Sequence, residues 1–179
     1  MDESAAWIAQ AKADFAAAER EGQLAGRLKE PVWCHAIAKY QQAVEKFIKA
    51  IVAALRDCGV RGMHPIGHDH RVQNHLRLLR KLPGRGAGPL IQRKLNEFLN
   101  AATKNSISKL EKLAQRWPAP GSPYLRNTEY PFNTPRGRWA YPAAPGSFSA
   151  SEVKEFQSLA RRVAHNARNV VSALRRGPV

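Results

Sequence analysis

The fold is decided by the stretch from Pro31 to Leu55, which reads PVWCHAIAKYQQAVEKFIKAIVAAL. Its large apolar residues recur at spacings of three and four, which places them on one face of a helix. The members of this apolar stripe are Ile37, Tyr40, Val44, Phe47, Ile48, Ile51 and Leu55. The polar face carries Gln41, Gln42, Glu45, Lys46 and Lys49. We therefore predict a long amphipathic helix, with Pro31 in its first turn and Gly59 as a left-handed residue beyond its end.

Three other periodic segments predict helices around this one. The first covers residues 4 to 21, and Gly22 is its predicted end. The next follows Asp69 as a helix cap, and another begins at Pro89, has a polar interruption at 104–106 and stops before Pro118. The residues expected to face inward are Trp7, Ile8, Ala11, Phe15 and Ala18, then Val72, Leu76 and Leu79, then Leu95, Leu99, Ala102, Leu110 and Leu113.

The segment from about 117 to 148 has a different character. It holds seven of the 12 prolines together with seven aromatic residues, which predicts an ordered but irregular loop. The last helix then begins with a capping box, Ser149 and Glu152, and a hydrophobic staple, Phe148 and Val153. Its apolar seam consists of Val153, Phe156, Ala160, Val163, Ala167, Val170 and Leu174. Together these segments predict an all-α antiparallel bundle of four to five helices.

The length of 179 residues predicts a single domain covering residues 1–179. The sequence contains no apolar run long enough to span a bilayer and no secretory signal at its start, so we expect a cytoplasmic protein without membrane association. Cys34 and Cys58 fall on one predicted helix, too far apart for a disulfide.

The net charge of +15 favours a polyanionic partner. An RNA or a nucleotide is the first interpretation. An acidic protein partner is the second, and a basic surface without such a partner is the third. The charge is densest in residues 56 to 94, which hold nine Lys and Arg against two acids.

Four motifs, in this order, resemble the HEPN family, named for higher eukaryotes and prokaryotes nucleotide-binding. They are an alanine-rich segment around Asp14, the long helix CHAIAKYQQAVEKFIKAIV, a turn at Gly67-His68-Asp69-His70, and Thr128-Glu129-Tyr130-Pro131 ahead of a basic last helix. The resemblance implies a homodimeric helical bundle with a role in bacterial antiviral defence or a toxin–antitoxin pair. It also implies a nucleotidyltransferase or other protein as a possible partner, and metal-independent RNA cleavage as an alternative function.

Catalytic candidates come from the histidine-rich stretch between residues 64 and 75. RNA cleavage of this kind needs a general base and a cation beside the phosphorane. His68 is the first candidate for the base and His75 the second, with Arg61 or Arg71 as the cation. The Arg-to-His spacings depart from the family pattern, and we therefore favour a binding protein. Three further interpretations of the stretch are a metal site, a polar patch for an anion or RNA, and helix capping by His68 and Asp69, of which capping is favoured. Its spacing fits no strong zinc template, and we predict neither metal nor cofactor.

Candidate nucleic-acid-binding residues are the arginines and lysine whose side chains suit phosphate recognition. They are Arg71, Arg77, Arg80, Lys81, Arg85, Arg126, Arg161 and Arg162. Aromatic residues interleave with arginines between 124 and 141, a pattern compatible with base stacking. Covering of the open side of the bundle is the favoured interpretation of those rings. A third function remains open, a non-catalytic helical subunit that docks on an acidic protein.

Overall fold

The computed structural model describes residues 2–63, 72–81, 88–113, 128, 132–133, 139–144 and 146–176. Its helices are α1 (Glu3–Ala25), α2 (Cys34–Asp57), α3 (Val72–Arg80), α4 (Pro89–Phe98), α5 (Ala101–Glu111) and α6 (Ala150–Arg175). Two short strands, β1 (Phe132–Asn133) and β2 (Trp139–Ala140), pair antiparallel. The predicted all-α class is confirmed. None of the helices in the described part of the chain combines the length and the apolarity needed to cross a membrane.

Helix α2 lies at the centre of the fold. Every residue of its predicted apolar stripe is at most 1% exposed. Helix α1 packs along α2 in the opposite direction, since Glu3 pairs with Arg56 near one end and Asp14 pairs with Lys46 further along. Helix α6 covers another side of α2, and the Cys58 thiol at the end of α2 donates to the Leu174 carbonyl near the end of α6.

The polar face of α2 is also largely covered, which the sequence pattern did not indicate. Lys49 is 2% exposed and Glu45 is 9% exposed. The two side chains neutralise each other, with 2.7 Å between Lys49 Nζ and Glu45 Oε1. The ring of Trp7 on α1 lies over the ammonium group, 4.9 Å from ring centroid to Nζ. Buried charges need partners of this kind, and here they allow α1 to pack on a charged surface.

Several predicted helix boundaries were wrong. Gly22 does not end α1; it lies inside the helix, where a Cβ would stand 3.6 Å from Val153 Cγ1 and 3.8 Å from Ala36 Cβ. Pro31 precedes α2, which begins at Cys34. The predicted fourth helix is two helices, because Asn100 accepts a hydrogen bond from the Thr103 N–H and starts α5. The break therefore lies before the expected polar interruption. Ala102 is exposed, and Thr103 takes its place inside.

Other boundaries agree with the sequence pattern. Gly59 has a φ of 75° after α2, and Pro89 opens α4. Cys34 and Cys58 are both free thiols. The capping box of Ser149 and Glu152 is present, and every residue of the predicted α6 seam is buried. The Asp69 cap, the predicted helix end before Pro118 and most of the 117–148 loop lie outside the described residues.

Candidate nucleic-acid interface

The predicted catalytic residues are only partly described. His75 lies on the inner side of α3 and is 5% exposed, so its imidazole is enclosed by the fold and not presented to solvent. Arg61 is exposed in the turn after α2. His68 and Arg71 lie outside the described residues, as does most of the histidine-rich stretch. The proposed set of general base and cation therefore stays a prediction.

Three of the predicted binding cations lie at the exposed side of α3. Arg77, Arg80 and Lys81 are exposed, whereas Val72, Leu76 and Leu79 of the same helix are buried against the core. Helix α3 packs on α2 and α5. The Arg77 guanidinium donates to the Asn74 side-chain oxygen over 3.1 Å, which holds it near its own helix. Arg85 and Arg126 lie outside the described residues.

Helix α6 presents a continuous polar surface that points away from the core. We call it the α6 outer stripe, and its members are Arg162, His165, Asn169, Ser172 and Arg176, all of them exposed. The helix carries no acidic residue from Phe156 to Arg176. In the part of the chain that the structure describes, Arg162 and Arg176 have no carboxylate partner, and the Arg176 Nε donates only to the Ser172 carbonyl of its own helix.

The edge of α6 that faces α1 carries a second row of arginines. Arg161 donates to Glu19 over 2.7 Å, and Arg175 donates to Asp2 over 2.7 Å. Because Glu19 lies late in α1 and Asp2 at its start, α1 and α6 run antiparallel. Ion pairs thus join the two helices at both ends of their shared edge.

Between these two ion pairs lies a cavity of about 330 Å³, which we call the α1–α6 groove. It is lined by Lys12, Phe15, Phe47, Arg161, Ala164 and Arg168. Arg168 is exposed, and its Nε donates to the Ala164 carbonyl one turn before it. Neither Lys12 nor Arg168 has an acidic partner among the described residues. The groove therefore has an apolar floor and three cations, of which Arg161 is paired with Glu19 and the other two have no acidic partner among the described residues.

The floor of the groove is held by aromatic packing. The Phe15 ring meets the Tyr40 ring edge to face, with 5.6 Å between centroids, and Phe47 is 1% exposed. Burial, together with the Glu19 carboxylate, raises the pKa of Tyr40 to about 12, so its hydroxyl stays protonated at neutral pH. Rigid aromatic and apolar side chains of this kind are typical of the walls of small-molecule sites.

A larger cleft of about 590 Å³ lies between the first half of α2 and the segment 141–143. Its lining includes Cys34, His35, Lys39 and Glu21, a mixture of charges without a shared sign. Burial raises the pKa of the Cys34 thiol, which keeps it in the poorly nucleophilic protonated form. The chemistry of this cleft favours no particular class of ligand.

The structure brings together residues that the sequence did not connect. Arg161 was predicted to bind nucleic acid, but Lys12 and Arg168 were not. Their proximity depends on the antiparallel packing of α1 on α6, which a single sequence does not specify. The available signal was the helical spacing of Arg161, Ala164 and Arg168, which places them along one edge of α6.

In the described ranges, no three His, Cys, Asp or Glu side chains come together as the ligands of a metal ion would. Comparison with protein-family models, with curated proteins and with solved structures found no match for this chain.

Proposed function

We propose that this protein binds RNA or a nucleotide through the cationic surface of α6. The observation that carries the proposal is the α6 outer stripe, where an arginine at each end, neither with a carboxylate partner among the described residues, flanks a histidine, an asparagine and a serine. Arginine forks bind phosphate oxygens, and the short polar side chains add neutral hydrogen-bond donors and acceptors. The net charge of +15 adds a long-range attraction for polyanions.

The HEPN resemblance supports the same kind of ligand and adds a context. In that context the protein is a cytoplasmic homodimer, acts in bacterial defence or a toxin–antitoxin pair, and works beside a nucleotidyltransferase or another protein. The proposal concerns binding, because the base candidate His75 is enclosed by the fold and the Arg-to-His spacings depart from the family pattern.

The proposal is tested by the salt dependence of RNA binding. Fluorescence anisotropy of a labelled single-stranded RNA, measured between 50 and 300 mM salt, gives the slope of log affinity against log salt. Replacing both Arg162 and Arg176 by Gln should weaken binding. It should also reduce the magnitude of that slope by the equivalent of up to about two phosphate contacts.

A matched control separates the effect of where the positive charge lies from the effect of the total net charge. The double variant Arg20→Gln with Arg27→Gln removes the same net charge from exposed positions on and just after α1. It should leave most of the affinity and slope intact. Equal losses in both double variants would mean that only net charge matters. Undetectable RNA binding by the unaltered protein, combined with binding of an acidic peptide such as hexaglutamate, would instead favour the subunit that docks on an acidic protein.

A further inference from the structure

We propose that the α1–α6 groove is a binding site for one nucleoside phosphate, with the phosphate between Lys12 and Arg168 and the base over Phe15. This inference rests on the proposed function and names where a single nucleotide is held. The first argument is electrostatic. Lys12 and Arg168 line the same small groove, and the described residues give neither of them an acidic partner. Like charges that share a site repel each other, and a bound dianion removes that repulsion.

The neighbouring ion pairs distinguish Lys12 and Arg168 from the other cations along this edge. The Arg161 and Arg175 guanidinium groups are occupied by Glu19 and Asp2, so α1 already supplies carboxylates at two places along this edge. At the middle position α1 supplies a lysine. An external anion can therefore bind at this middle position, where α1 supplies no carboxylate to the cations. The ion pairs on either side hold the two helices at a fixed distance.

The apolar floor of the groove suits a ligand that carries a planar apolar group. Phe15 is half-buried and held by Tyr40, while Phe47 and Ala164 complete an apolar surface. Bases stack on aromatic rings without regard to sequence. The volume of about 330 Å³ falls at the lower end of the range for small-molecule sites, which suits a mononucleotide. Inorganic phosphate alone leaves this floor unused.

Binding of AMP, adenosine and inorganic phosphate to the full chain tests the proposal by isothermal titration calorimetry. AMP should bind more tightly than either of its parts. The double variant Lys12→Gln with Arg168→Gln should lose at least about tenfold in AMP affinity, since each charged hydrogen bond is removed. Lys12→Arg with Arg168→Lys keeps the charges and should retain most of the affinity. Phe15→Leu keeps an apolar side chain but lacks the ring, so it should weaken AMP and leave phosphate binding unchanged.

The arms of the experiment distinguish the possible occupants. A tetra-adenylate that binds more tightly than AMP, and depends on Lys12 and Arg168 as well as on Arg162 and Arg176, identifies the ligand as one nucleotide of an RNA. Equal affinity for both identifies a free nucleotide. Either result supports the site. Phosphate binding as tight as AMP binding overturns the base-stacking role, and no AMP binding at millimolar concentration overturns the site.

Two further outcomes would also overturn the inference. If the Lys12 and Arg168 variant changes the oligomeric state in size-exclusion chromatography with light scattering and leaves AMP binding unchanged, the groove is a contact between two copies of the chain. If hexaglutamate displaces AMP at equal concentration, the groove binds acidic peptide. RNA binding that still depends on Arg162 and Arg176 in either case would leave the proposed function standing, so the two failures are distinguishable.

Discussion

The buried pair of Glu45 and Lys49 is the least expected feature at the scale of single residues. Both residues were predicted on the polar face of α2, and both are buried, with the Trp7 ring of α1 over the Lys49 ammonium group. A buried pair contributes little net stability when complete, but removal of one member leaves an uncompensated charge. The pair therefore makes the packing of α1 on α2 sensitive to single substitutions.

A double-mutant cycle at this pair tests that view. Lys49→Met should lower the free energy of unfolding by about 3–5 kcal/mol, because the buried Glu45 carboxylate loses the ammonium group that lies 2.7 Å from it. Glu45→Gln should also destabilise, and the double variant should lose less than the sum of the two. Urea unfolding followed by circular dichroism gives the three values. The exposed pair of Lys109 and Glu155, 2.6 Å apart, is the control and should couple by less than about 1 kcal/mol.

At the scale of the helix, two glycines have opposite roles. Gly22 lies inside α1 with ordinary space for a methyl group, so Gly22→Ala should raise the free energy of unfolding by about 0.5–1 kcal/mol. Gly59 closes α2 with a φ of 75°, so Gly59→Ala should lower it by about 1 kcal/mol despite open surroundings. Thermal or urea unfolding of both variants checks the signs. A loss at Gly22 would mean that Val153 and Ala36 do not accommodate the methyl group.

The seam of α6 gives a second prediction at this scale. Val163 is fully buried, and Val163→Asp would place a charge without a partner in the core. The cost should be about 4 kcal/mol or more, with a matching fall in melting temperature. Arg162→Asp changes the adjacent exposed residue and should stay within about 0.5 kcal/mol of the unaltered protein. Similar melting of both variants would contradict the observed orientation of α6.

The apolar pattern of the sequence determined the main helices and their buried stripes, but not which helices pack against each other. The stripe of α2, the capping box at Ser149 and the opening of α4 at Pro89 are local signals, and they are confirmed. Gly22 was misread because the contacts of α1 with α2 and α6 continue the helix past a weak helix former. The start of α5 at Asn100 was overlooked although asparagine is a favoured cap. Of the cations that line the proposed groove, only Arg161 was predicted. Arg168 lies two turns further along the same helix and was overlooked, whereas Lys12 joins them only through tertiary packing.

For the whole molecule, ion pairs at the start of α1 connect it to α2 and α6. A hydrogen bond from the Ala5 N–H, helped by the Ser4 hydroxyl and by Arg175, lowers the pKa of Asp2. Burial alone would raise the pKa of Glu3, but hydrogen bonds from Trp7 and Arg56 outweigh it and lower that pKa. Groups with lowered pKa values stabilise the fold above their unfolded pKa and lose this effect as the pH falls through the folded value.

Acid should therefore loosen the attachment of α1. The unfolded reference values are 3.8 for Asp2 and 4.5 for Glu3, so the stabilising effect should be complete at pH 6 and decline progressively below pH 4.5. Melting temperatures at pH 6, 4 and 3 measure this decline. The double variant Asp2→Asn with Glu3→Gln should melt lower at pH 6 and should lose less between pH 6 and pH 3 than the unaltered protein. If the melting temperatures of the variant and the unaltered protein fall equally between pH 6 and pH 3, other carboxylates are responsible for the acid sensitivity.

The central position of α2 also bears on how the chain reaches its fold during synthesis. Helix α1 is its neighbour in sequence, so we expect these two helices to form a local hairpin early. Helix α6 arrives last, and its contact between Leu174 and Cys58 joins residues 116 positions apart. Closure over such a distance is slow relative to local helix pairing. Until α6 has emerged from the ribosome, the side of α2 that it covers lacks its partner, and we expect chains that end before α6 to aggregate.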